Sequence, residues 1–166
     1  MLGISEGVHV MTYHNAFFYL PDDKNVWNSG TSLIHYDRSI LPGYVAYGVM
    51  TRQLYKSDYV GQLKGLPEDC ASHVFTKGDS AVVVAWQKNK SKIPAWCKGP
   101  MEIVPQEPKN ARIPVRGESA RVVDLFGKTQ DVAVQDGHID VELGLAPVYI
   151  HVPLKALKTM QSAGIK

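Results

Sequence analysis

Trp27 and Trp96 are the side chains best placed for binding chemistry, because each lies in a loop-like stretch among polar neighbours. A tryptophan face stacks on the apolar face of a sugar ring while nearby amides and carboxylates bond the ring's hydroxyls. Asn25 and Asn28 flank Trp27, and Lys88, Lys90, Lys92 and Lys98 surround Trp96. The lysines have a second reading as an anion patch for nucleic acid or acidic polysaccharide. Nothing else in the chain extends that patch, so a solvated loop is the plainer account. Trp86 ends a wholly apolar run and reads as core.

Other motifs fail on context. Gly3-Ile4-Ser5-Glu6-Gly7 has the letters of a hydrolase nucleophile elbow, which needs a strand before the serine and a helix after it. Only Met1 and Leu2 precede it, and a strand follows. Gly127-Lys128-Thr129 resembles the end of a phosphate-binding loop, but the glycine required upstream is Val122, and the tripeptide belongs to a hairpin turn. His9, His14, His35, His73, His138 and His151 show neither helical zinc spacing nor a thiolate pair nearby, so no metal and no cofactor is expected. Glu6, His14 and Asp37 lack the spacing of an independent catalytic site. Asn89-Lys90-Ser91 fits a glycosylation acceptor and says only that its loop is exposed.

The elements that must position these residues change character near residue 57. With 166 residues, 45% of them apolar and 20% charged, the chain has the size and composition of a single folded domain. Eighteen basic and sixteen acidic residues leave a net charge of +2, which advertises neither a nucleic-acid nor a membrane partner. The longest apolar run, Ala81 to Trp86, falls far short of the roughly 20 residues of a spanning helix, and the start lacks the regions of a signal peptide. Cys70 and Cys97 suit either one bridge or two buried thiols.

Val8 to Tyr13 reads as a strand, Asn15 to Ile40 as a long loop, and Pro42 to Lys56 as an amphipathic helix with Tyr47, Met50 and Leu54 on its apolar face. From Tyr59 the period becomes two. Strands are predicted at Val60–Leu66, Ala71–Thr76, Ala81–Gln87, Ala111–Val115, Ala120–Leu125, Asp131–Gln135, His138–Leu143 and Val148–Val152. Tight turns at Lys77-Gly78-Asp79, Phe126-Gly127-Lys128 and Asp136-Gly137 predict three hairpins. Ala81 to Trp86 is apolar on both faces and should be a central strand covered on both sides. The expected fold is mainly β: an antiparallel sandwich of about eight strands after an N-terminal strand-loop-helix segment, with a short closing helix over Lys155–Ala163.

Taken in order, Val74-Phe75-Thr76-Lys77-Gly78-Asp79 with Ala81 to Trp86, then Ala120-Arg121-Val122-Val123-Asp124-Leu125-Phe126-Gly127, then Pro147-Val148-Tyr149-Ile150, resemble the β-sandwich that follows the catalytic barrel in many clan A glycoside hydrolases. The resemblance covers roughly residues 57–153. It implies three parts: residues 1–56 as the last strand, a loop and the last helix of a (β/α)8 barrel, residues 57–153 as the sandwich, and residues 154–166 as a tail. A whole barrel needs upward of about 200 residues. The acid and nucleophile of such an enzyme would come from earlier barrel strands, so no catalytic residue is expected here. Glu6 precedes its strand, at the wrong end for barrel chemistry, whereas Tyr13, His14 and Asn15 would line a sugar subsite if the rest of a barrel were supplied.

The expected function is a non-catalytic accessory sandwich of a polysaccharide-degrading hydrolase, bracing the barrel and contacting carbohydrate, with a secreted or periplasmic parent. The alternative is a free-standing carbohydrate-binding module or lectin that uses the loop aromatics. In either case the apolar surface of residues 8–56 needs a cover, from the barrel portion or from self-association.

Overall fold

The computed structural model describes residues 33–34, 38–90 and 104–156. They form one helix of several turns, α1 (Pro42–Leu54), and eight strands: β1 (Asp58–Gly61), β2 (Cys70–Lys77), β3 (Ser80–Gln87), β4 (Lys109–Pro114), β5 (Ser119–Val123), β6 (Thr129–Ala133), β7 (His138–Leu143) and β8 (Val148–Pro153). Every strand pairing is antiparallel. Six strands make one sheet in the order β1-β2-β3-β8-β5-β6, and β4-β7 make a second. The mainly β antiparallel fold expected from the sequence is therefore what the chain adopts.

Alternation along the strands builds two cores from one sheet, because successive side chains point to opposite faces. Val74, Ala81, Val83, Ala85, Val122, Ile150 and Val152 pack against Ala111, Ile113, Ile139, Val141 and Leu143 of the small sheet. Their neighbours Phe75, Val82, Val84, Val123 and Tyr149 face the other way and meet Leu54, Val49 and Met50 of α1. The six-stranded sheet is thus the middle layer between a helix and a two-stranded sheet. This explains why β3 is apolar on both faces while β7 alternates: Ile139, Val141 and Leu143 are buried, and Asp140 and Glu142 are exposed.

Helix α1 begins at Pro42, whose fixed φ and missing N–H suit a first turn. It ends where Lys56 turns left-handed (φ 56°) and the Ser57 hydroxyl and backbone N–H both donate to the Leu54 carbonyl, at 2.6 and 3.1 Å. Of the predicted apolar face, Met50 and Leu54 do lie against the sheet. Tyr47 does not: it is 38% exposed, and with Tyr44, Val45 and Ile40 it forms an outward apolar surface. At the sheet's far end, Gly127 (φ 88°) lies so near α1 that a Cβ there would sit 3.3 Å from Val49 Cγ2. Asp124 Oδ1 holds that loop by accepting the Phe126 and Lys128 N–H groups at 2.9 and 2.8 Å.

Two of the three predicted hairpins form, β2-β3 and β5-β6. The third is only half right. Asp136 and Gly137 do make a tight turn with φ 50° and 73°, and Gln135 and His138 exchange both backbone bonds across it. Beyond that single bridge the strands part, β6 pairing with β5 and β7 with β4. The turn is a corner where the chain passes from one sheet to the other, because Val132 and Ile139 must reach the same core from opposite sides. Likewise β1 stops at Gly61 rather than running to Leu66, for a reason given below. Of the closing helix predicted over Lys155–Ala163, only Lys155 and Ala156 fall among the described residues, in a helical turn that begins at Leu154.

One polar contact joins helix to sheet. His151 Nε2 lies 2.7 Å from Gln53 Oε1, an acceptor, so the ring donates from Nε2. Burial pushes its pKa below the ordinary histidine value, and Arg121, its register partner on β5, adds to the effect. Arg121 is itself 3.8 Å from Asp131 on β6. A histidine with a lowered folded pKa binds fewer protons folded than unfolded, so stability falls as pH drops through the unfolded value and levels off below the folded one. We expect the melting temperature to decline as pH falls through about 6.5, the ordinary histidine value, and His151→Gln to flatten that slope while keeping a donor for Gln53. An unchanged slope in the variant would place the titration elsewhere. No helix among the described residues is long and apolar enough to cross a membrane.

Candidate functional site

A concave site forms where β1 leaves the sheet. A bulge shifts the β1-β2 register between Tyr59 and Gly61, and Gly61 takes φ 136°. That conformation, open to glycine, turns the chain away and ends the strand. Residues 62–69 then arc outward, reversing at Gly65 (φ 86°), and return to start β2. Since β1 covers only Val74–Thr76, no strand among the described residues borders the outer edge of Cys70–His73. The space beneath the arc is a cavity of about 470 Å³.

The arc is pinned at several points. Leu63 N–H donates to Ser72 Oγ at 3.0 Å, and Cys70 N–H to the Pro67 carbonyl at 2.8 Å. Lys88, just past β3, donates through its backbone N–H to the Asp69 carbonyl (2.7 Å) and through Nζ to the Glu68 carbonyl (2.9 Å). The Gln106 side chain then clamps this corner, donating from Nε2 to the Lys88 carbonyl at 3.0 Å and accepting the Lys90 N–H at 2.7 Å. Asp69 meets Lys90 at 3.3 Å and Lys109 at 3.9 Å. Desolvation would raise its pKa, but the Lys90 hydrogen bond, both lysine charges and Gln87 outweigh this and hold it below the usual carboxylate value.

Trp86 forms the cavity's aromatic wall. Its register partner is Ala71, small enough to leave part of the indole uncovered, and Trp86 is half-buried rather than enclosed. It meets His73, which also lines the cavity, at 5.4 Å between ring centroids, and His73 in turn meets Tyr59 edge-on at 5.5 Å. These contacts fix the indole's orientation. Leu66 and Pro67 add apolar wall, while Gln62, Glu68 and Lys88 are exposed at the rim.

Among the described residues, the side chains around the cavity form no nucleophile–base pair. Ser72 and His73 are adjacent on a strand and so point to opposite faces, and the Ser72 hydroxyl already accepts the Leu63 N–H. Cys70 is a free, buried thiol whose pKa is pushed up by burial and by the neighbouring Asp69 charge, the reverse of an activated nucleophile. Among the described residues no group of three or more His, Cys, Asp or Glu side chains could hold a metal ion. The five residues that sequence reasoning singled out, Tyr13, His14, Asn15, Trp27 and Trp96, lie outside the described residues, as do Cys97 and the strand expected at Val8–Tyr13. Trp86, read as core, does pack against the helix-facing core, and it also lines the cavity. The signal that could have marked it is its place at the end of a buried strand, opposite an alanine and next to a lysine-rich loop.

No family model matches the chain, and no curated protein does. Among solved structures, the chain is similar to a family 39 glycoside hydrolase from the gut symbiont Bacteroides cellulosilyticus WH2, with a TM-score of 0.53 at 19% sequence identity. The similarity covers 74% of this chain and 22% of that one. The chain thus spans less than a quarter of the hydrolase it resembles, and the likeness is one of fold.

Proposed function

We propose that the chain is a non-catalytic accessory β-sandwich of a polysaccharide-degrading glycoside hydrolase, bracing the catalytic barrel and contacting carbohydrate. The observation that carries this reading is the likeness to one part, 22%, of a much longer hydrolase chain. Exposed apolar side chains on and just before α1 support it: Ile40, Tyr44, Val45 and Tyr47 are all more than a third exposed, apolar surface suited to a second packing layer.

Two measurements test it together. The purified chain should not turn over chromogenic glycosides, and light scattering should give a mass above that of a monomer. Tyr44→Glu with Tyr47→Glu should return it to a monomer without lowering its melting temperature. Turnover by the chain would overturn the accessory role. A wild-type monomer would instead favour the free-standing binding module.

A further inference from the structure

We propose that the cavity beneath the residue 62–69 arc is a saccharide subsite, with Trp86 as its stacking wall and Gln62, Glu68 and Lys88 as the rim that bonds sugar hydroxyls. This deepens the carbohydrate-contact part of the function proposed above and rests on it. The volume of about 470 Å³ falls within the range of small-molecule sites, about 300–1,000 Å³. The mixture of walls selects the ligand. A sugar ring offers an apolar face for an indole and a polar periphery for amide, carboxylate and ammonium groups.

Other ligand classes fit less well. A wholly apolar molecule would leave the rim groups without partners. An anion would meet the Glu68 and Asp69 carboxylates, the second of which already holds Lys90 Nζ. An extended peptide adding to the open edge of β2 is obstructed by the arc itself, which already bonds Ser72 Oγ and the Cys70 N–H. The site is also set in advance. His73, itself braced by Tyr59, packs beside the indole, and the Lys88 and Gln106 contacts fix the rim, so little ordering remains to be done when a ligand binds.

The test is a titration of the full chain with cellohexaose, xylohexaose and maltohexaose at millimolar concentration, read by ¹H–¹⁵N NMR. The Trp86 indole N–H signal is assigned from its loss in Trp86→Phe. We expect that signal to shift saturably with at least one sugar, Trp86→Ala to weaken binding by about tenfold or more, and Gln62→Ala or Glu68→Ala to weaken it several-fold with an unchanged melting temperature. If Trp86→Ala does not fold, Trp86→Phe and the two exposed rim variants decide the matter. Binding that survives every cavity variant but is lost in Trp27→Ala or Trp96→Ala overturns the subsite and leaves carbohydrate contact standing. No binding of any of the three sugars overturns both, and leaves barrel bracing to the light-scattering test.

Discussion

Phe75→Ala is expected to cost about 3–5 kcal/mol, a large share of the roughly 5–15 kcal/mol by which domains of this kind are stable. Phe75 is completely enclosed, 0% exposed. It lies opposite Tyr59 on β1 and Val82 on β3, its ring 5.5 Å from that of Tyr59, and it belongs to the core shared with Leu54 of α1. Truncating it opens a void under the helix that neither the sheet nor α1 can close without losing register. The check is urea unfolding of the whole chain beside Thr76→Ala, whose site is partly exposed and whose shift should stay small. A Phe75→Ala midpoint close to that of wild type would mean that water already reaches this face and that α1 contributes nothing to the fold.

Much of this architecture can be read from residue order, and the places where reading fails share a cause. Strand β7 was expected at His138–Leu143 and spans those residues, because strict alternation from Ile139 to Leu143 leaves only one way to bury one face. Helix α1 starts at Pro42 for an equally local reason. The Asp136-Gly137 turn was also legible, yet which strands pair beyond it is decided by a core assembled from both sheets, and no local pattern encodes that choice. Tyr47 shows the same limit. Helical spacing put it with Met50 and Leu54, but the sheet's width covers only the side carrying Val49, Met50, Gln53 and Leu54.

The candidate site was the least legible part. Its wall comes from β3, its outer edge from β2, and its rim from the arc between β1 and β2, so it exists only once β2 and β3 have paired. What opens it is the backbone of Gly61 at φ 136°, and a lone glycine after a valine gives no sign of whether it marks a bulge, a turn or a strand interior. Trp86 looked like core because five apolar residues precede it. It packs on the helix-facing core and also lines the cavity, where its partner across β2 is the small Ala71.

The second large effect follows from β3 being covered on both faces. Val83→Asp and Val84→Asp should each abolish cooperative folding, although the two side chains point in opposite directions. Val83 lies between Val74 and Ile150 in the core facing the small sheet. Val84 lies between His73 and Tyr149 on the side of the helix-facing core. A buried carboxylate costs several kcal/mol per ion after relaxation, comparable to the whole stability of a domain. Pairing with His73 would not rescue Val84→Asp, since a protonated His73 places a second charge in the same enclosed site. Strand β7 supplies the contrast, because only one of its faces is buried. Val141→Asp should unfold the chain, while Glu142→Gln, on the exposed face, should stay within about 0.5 kcal/mol of wild type. Circular dichroism on heating separates the cases. A Val84→Asp protein that melts cooperatively near the wild-type temperature would show that the helix-facing side of β3 is open to water, and would remove α1 as a structural layer, whereas failure of both β3 variants fixes the sheet as the middle of three.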